Sequence, residues 1–254
     1  MCAFFASMLA AACVARSGPA PDADSHNQPD LTRPILNAAA AALEEGDAAT
    51  AATYYRGVFT RDPENVTAAI GLMRSLRLVG GLDEAQAVAA KALKLKPDDP
   101  AVLAEVGKVK LAKGEATEAA ALLARAVNGD AHDWKLRSAL GLAYDRLGDY
   151  GRADRSYEAA LRIAPDNAAV LNNFALSRAM ANDLDGARGL ARRAIAAPGA
   201  DLRVRQNLAL IYALSGNMPK AEELTRRNPP PALARQTIEY YRDLAAAAPP
   251  QPQP

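Results

Sequence analysis

What most constrains this chain is self-similarity at a fixed spacing of 34 residues. With starts at residues 32, 66, 100, 134, 168 and 202, its middle aligns on itself without a gap. The twentieth place of each unit is then Ala51, Ala85, Ala119, Ala153, Ala187 and Ala221. Alanine is abundant, 60 of 254 residues, yet six in one column arise by chance only about once in several thousand registers. Other columns agree: the eighth place holds Ala39, Met73, Gly107, Gly141, Ala175 and Ala209, and the twenty-seventh holds Val58, Ala92, Ala126, Ala160, Ala194 and Asn228. A unit this short cannot bury an apolar face alone, so copies must stack.

The columns have a physical account. The fifteenth place is Gly46, Gly80, Gly114, Gly148, Asn182 and Gly216, residue types that reach positive φ and end a helix cheaply. Asp47, Asp149, Asp183 and Asn217 follow, as N-caps of a second helix. Small residues at places eight, twenty and twenty-seven let helices approach closely, with Leu140, Tyr144 and Tyr157 filling the space between them. Pro63, Pro97 and Pro165 stop the second helix, because proline lacks an amide donor and disfavours helical geometry in the residue before it. Ala131 and Gly199 stand there in two units, predicting softer ends. Helix, turn and helix at this period resemble the tetratricopeptide repeat (TPR). The fold expected is all-α: a right-handed α-solenoid of six TPR hairpins over residues 32–228, plus a C-terminal capping helix within 229–248. Pro229, Pro230 and Pro231 cut the sixth unit short, Leu233, Ile238, Tyr241 and Leu244 are available to cover it, and 249–254 reads as a disordered tail. Trp134, the only tryptophan, is expected at the joint with the third unit.

Upstream, residues 1–12 contain an apolar run of about ten residues, too short to span a bilayer but suited to a signal peptide. Leu9 to Cys13 resembles a bacterial lipobox, although Leu9 stands four residues before the cysteine rather than three and no Lys or Arg precedes it. Acylation of Cys13 would anchor the protein in a membrane, at about 0.8 kcal/mol per buried CH₂. Residues 13–31 then form the lipidated end and a disordered tether, rich in Pro, Ser and Asp. Cys2 lies in the removed part, so the mature chain forms no disulfide.

Thirty basic against 29 acidic side chains argue against a broad electrostatic grip on nucleic acid. The charge drifts from net −4 over residues 14–65 to net +5 over 186–254. That is either a scatter of solvated charges or a basic end that orients a partner. His26 and His132 are far apart and lack metal-ligand spacing; no phosphate loop, nucleophile elbow or dinucleotide fingerprint occurs. The pairs Asp98–Asp99 and Glu222–Glu223 read as solvated. Neither enzyme chemistry nor a cofactor is expected.

The TPR resemblance implies that first helices line an inner groove. Its facing places carry Arg74, Arg77 and Lys108 early, then Leu142, Arg146, Asn172, Leu176, Met180, Gln206, Leu210 and Leu214. Leu142, Leu176 and Leu210 form a ladder at the repeat spacing. Two readings stay open: leucines tucked between helices, or a floor for an apolar partner segment whose backbone meets Asn172, Gln206 and Arg146. Place five is never lysine, so the carboxylate clamp of some TPR proteins is absent. Asn173 and Asn207 at place six read as structural.

The lipobox, the tether, six repeats and the stretch from Leu190 to Leu224, above all Pro198–Gly199 through Val204 to Leu210, together resemble the TadD family of tight-adherence (Flp) pilus assembly lipoproteins. That resemblance implies a periplasmic protein at the outer membrane, lipid-anchored, with the pilus secretin as partner. A TPR scaffold or pilotin of another envelope system, such as a type IV pilus or polysaccharide export, shares every feature.

Overall fold

In a computed structural model of the chain, which describes residues 30–129, 132–227 and 230–247, the repeats are antiparallel helix pairs. The first two pairs are α1 (Thr32–Glu44) with α2 (Ala48–Arg61), and α3 (Val66–Val79) with α4 (Leu82–Leu95). The middle pairs are α5 (Pro100–Ala112) with α6 (Ala116–Gly129), and α7 (Trp134–Arg146) with α8 (Tyr150–Ile163). Then come α9 (Ala168–Met180) with α10 (Leu184–Ala196), and α11 (Leu202–Leu214) with α12 (Met218–Arg226). A last helix, α13 (Pro231–Ala247), packs on α11 and α12. The architecture is an α-solenoid.

One turn is made six times. The fifteenth place is left-handed throughout, with φ between +70° and +85° at the five glycines and +65° at Asn182. The amide of the sixteenth place donates back to the carbonyl of the eleventh in every unit, at 2.8–3.0 Å. This is the six-to-one bond that closes a helix whose last carbonyls lack partners. Asp47, Asp149, Asp183 and Asn217 then cap the second helix, each accepting a backbone amide three residues on. A second capping column escapes the repeat analysis: Asn65, Asp99, Asp133, Asn167 and Asp201 cap the first helices in the same way. Asp99 is thus a cap rather than a merely solvated charge. Its neighbour Asp98 pairs with Arg125 at 2.7 Å.

The alanine column is the centre of the packing. All six alanines at place twenty are fully buried, as are the alanines at place twenty-seven among the described residues. Place eight is buried too, and in the second, third and fourth hairpins its size offsets that of place twenty-four. Gly107 lies under Leu123 and Gly141 under Tyr157, where an added Cβ would come within 2.7 and 2.8 Å of the larger side chain. Met73 instead faces a unit with Ala89 at that place, and both are buried. Close-packed interiors demand this reciprocity of volume.

Two expectations need correction. Trp134 packs against the cluster of Ala153, Tyr157, Val170 and Phe174, in the fourth and fifth repeats rather than the third, because its place at the start of α7 faces forward along the stack. Leu233 is 51% exposed; it sits in the first turn of α13, beside a small cavity left where α12 stops after 9 residues. Ile238 and Tyr241 are buried as expected, with Ala234, and Leu244 is half-buried. At the end of α10, where proline is missing from its usual place, Ala197 turns extended and Gly199 takes φ +79°, so Pro198–Gly199 closes the repeat by another turn. Ala131 and Asn228 lie outside the described residues, as do Cys13, His26, the tether up to residue 29 and the tail.

Enlarging the fully buried Ala153 to Leu should lower stability by about 1–3 kcal/mol through overpacking. Gly189→Ala in α10, where an added Cβ meets nothing within 4 Å, should raise it by about 0.5–1 kcal/mol. Urea midpoints of the two variants check both signs.

Candidate functional site on the concave face

Helix contacts decide which face is inner. The odd-numbered helices from α1 to α13 each pack backbone-close on the next odd-numbered helix, whereas among the described residues second helices of consecutive repeats stand farther apart and meet through long side chains, as in the Arg56–Glu84 pair at 2.7 Å. A stack held closer on one layer must curve toward it, so the first helices form the concave wall. The ladder is stitched by side chains of successive repeats: Asn207 Nδ2 donates to Asn172 Oδ1 at 2.8 Å, and Asn173 Nδ2 to Ser138 Oγ at 3.5 Å. Tyr241 OH donates to the Gln206 carbonyl at 3.1 Å, extending the same step to α13. Asn173 and Asn207 are structural, as expected, and Asn172 gives its acceptor to the stack.

The eight residues proposed for the groove are all at least partly accessible. Arg146, Met180 and Gln206 are exposed; Leu142, Asn172, Leu176, Leu210 and Leu214 are half-buried. Leu210 packs partly against Ala209, Ala213 and Tyr241, while Leu142 and Leu176 join no core cluster among the described residues. The ladder therefore has one edge in the wall and one toward solvent.

These residues fall into separate concavities. Leu142 and Arg146 line a hollow of about 350 Å³ with Arg77, Lys108, Lys135 and Ser138. Asn172 lines another of about 340 Å³ with Asn173, Asn207, Asp201 and Arg203. Gln206 borders a smaller one of about 110 Å³ between α11, α12 and α13. Arg77 and Lys108, read only as early groove residues, thus meet Leu142 and Arg146 across three repeats.

Beneath this wall lies a group that the motif reading missed. Asp145 is buried, and its carboxylate accepts from Tyr157 OH at 2.7 Å and Ser177 Oγ at 2.5 Å, joining α7, α8 and α9. Tyr157 also stacks on Phe174, ring centroids 5.5 Å apart. Burial holds the Asp145 carboxyl above its usual range although both hydroxyls favour the charged form. Burial, then the charge of Asp145, pushes the Tyr157 hydroxyl far up. Asp154 is likewise raised by burial, against the pull of Arg178, which pairs with both Asp154 and Asp183 at 3.1 Å. The visible signal was an aspartate in a column otherwise filled by Leu43, Leu111, Ala179, Ala213 and Arg77.

Models described as tetratricopeptide repeat match residues 42–109 and 134–167. No curated protein matches the chain in sequence. Among solved structures, the fold is similar to that of PilW, described as a widely conserved type IV pilus biogenesis factor. The TM-score is 0.69 at 17% identity, covering 86% of this chain and 99% of that one. PilF of Pseudomonas aeruginosa aligns with TM-score 0.64 at 17% identity over 83% of this chain and 97% of its own. A tetratricopeptide repeat protein of Parabacteroides merdae gives 0.63 at 18% identity, covering 85% and 89%. At these identities the likeness is one of fold.

A carboxyl whose folded pKa lies above its ordinary value of 3.8 stabilises the fold when protonated, a contribution lost as pH rises through the folded value. Asp145→Asn, neutral at every pH, should therefore compare best with the parent protein at neutral pH and lose that relative advantage in acid. Asp145→Ala strands two buried hydroxyls and should cost about 1–3 kcal/mol. Denaturation midpoints at neutral and acid pH distinguish the two variants.

Proposed function

We propose that this tetratricopeptide repeat protein is a non-enzymatic scaffold for pilus assembly, held by an acylated Cys13 at the periplasmic face of the outer membrane, with the secretin of a tight-adherence (Flp) pilus as its partner. Tetratricopeptide arrays bind protein partners, and that much follows from the repeats themselves. The observation that carries the reading is the accessible edge of the leucine ladder on the concave wall, flanked by Arg146, Asn172 and Gln206. An apolar partner segment laid along Leu142, Leu176 and Leu210 would remove those edges from water, at about 25 cal/mol per Å², while the polar groups fix its direction.

Cys13 and the tether supply the membrane part of the proposal: one acyl chain anchors reversibly, several anchor firmly. A second reading, a scaffold or pilotin of a type IV pilus, is supported by the near full-length similarity of fold to PilW and PilF. Both readings assign the same surface to the partner.

Leu176→Ser with Leu210→Ser should leave far-UV helicity intact and reduce recovery of the partner from an envelope extract several-fold. Recovery of a tight-adherence secretin supports the first reading, that of a type IV pilus component the second. Loss of folding in the variant would make the leucines core and remove the groove from the account. Mass spectrometry of the mature N-terminus tests the anchor: an acylated Cys13 is expected, and an unmodified end at another residue contradicts it.

A further inference from the structure

The two layers of the solenoid differ in charge in a way that the end-to-end drift hides. Five of the inner helices, α3, α5, α7, α9 and α11, together carry ten Lys and Arg residues but only two carboxylates, Glu105 and Asp145, both buried. Most of the acids that bring the whole chain to a formal +1 lie on the second helices, in the turns and upstream of the array; Glu44, Glu239 and Asp243 stand on the end helices α1 and α13. Some inner cations are answered from there: Lys110 by Glu118 at 2.8 Å, Arg178 by Asp154 and Asp183, Arg203 by Asp201 at 2.9 Å.

Those in the hollow around Leu142 are not. Arg77 and Lys108 share one buried carboxylate, Glu105, at 3.2 and 3.3 Å. Lys135 Nζ stands 5.6 Å from the centroid of the Trp134 ring. No ion pair to Lys135 or Arg146 forms among the described residues. Four cations thus converge on a hollow of about 350 Å³ lined also by Leu111, Ala139 and Leu142; answering them are Glu105 and, behind Arg146, the buried Asp145. Like charges in a concavity with low-dielectric walls focus a positive potential that an incoming anion relieves. The hollow lies on the concave wall, lined by α3, α5, α7 and α9, a shape that suits an extended chain better than a flat bilayer. Its floor takes one aliphatic side chain, and its rim asks for carboxylates.

We propose that this hollow is the docking site for an acidic extended protein segment, which sets carboxylates against Lys135 and Arg146 and an aliphatic side chain on Leu142. The proposal rests on the reading that the concave wall is the binding face, and names the chemistry of what binds at its middle.

The probe is a fluorescein-labelled peptide with one leucine flanked on each side by two glutamates, titrated with the full chain and followed by anisotropy. A second peptide has glutamine for glutamate. The glutamate peptide should bind, weaken as salt rises, and bind at least about tenfold more tightly than the glutamine peptide. Lys135→Glu with Arg146→Glu should weaken it by about tenfold or more at unchanged helicity. Arg192→Glu, on the outer helix α10, should leave it unchanged. Equal binding of both peptides, or an equal loss in the Arg192→Glu variant, overturns the proposal. So does binding of phosphatidylglycerol vesicles with the same dependence on Lys135 and Arg146, which would assign the hollow to lipid headgroups. If the acidic peptide fails while Leu176→Ser with Leu210→Ser still loses the envelope partner, the hollow is misassigned and the groove stands. If neither responds, the concave wall is not the binding face.

Discussion

Everything in this molecule depends on how closely two helices can approach across a buried alanine. At place twenty the side chain is a methyl group in all six repeats and is wholly excluded from solvent. Any larger group there would push the hairpin open and tilt the next repeat. Because among the described residues each repeat touches only its neighbours, an error of angle at one joint would carry into every later one. A solenoid of this kind is a chain of nearest-neighbour interfaces, and a strict requirement on side-chain volume at a few places is what makes successive interfaces alike.

Within that requirement the structure trades volume between paired places. Gly141 admits Tyr157, and Tyr157 in turn reaches Asp145 and stacks on Phe174 of the next repeat. The joint between the fourth and fifth repeats therefore carries a buried clasp of carboxylate and hydroxyls. Ser177 completes it, so the clasp spans three helices with both carboxylate oxygens satisfied, as a buried charge requires. Just outside it lies the hollow around Leu142, whose wall is set by the same helices α7 and α9. The buried clasp and a cluster of cations on the concave face are neighbours.

Much of this was legible in the residues, because the columns repeat. The turn glycines, the caps at Asp47, Asp149, Asp183 and Asn217, and the buried alanines are each stated several times over, and repetition averages out local noise. The second capping column was equally periodic but lay at the seam between units, where it could be read as loop. Features that occur once were harder. Trp134 was placed against the wrong neighbour because composition does not say which way a residue at a helix start faces. Asp145 looked like one more charge until three helices were seen to converge on it. Leu233 was credited with covering the last repeat, although the shortened α12 leaves a cavity beside it. The layering of charge was invisible along the sequence since each inner helix is followed by an outer one, and any window longer than a helix sums the two.

Excising one whole period tests the central claim most directly. If recurrence of side-chain size every 34 residues is what stacks the hairpins, joining residue 133 to residue 168 preserves every column across the junction. The shortened chain should keep its helicity per residue and unfold in one cooperative transition at a lower midpoint. Joining 133 to 165 instead shifts the later columns out of register and should lose cooperativity in thermal unfolding. Indistinguishable transitions for the two deletions would contradict the account, since stacking would then owe nothing to register.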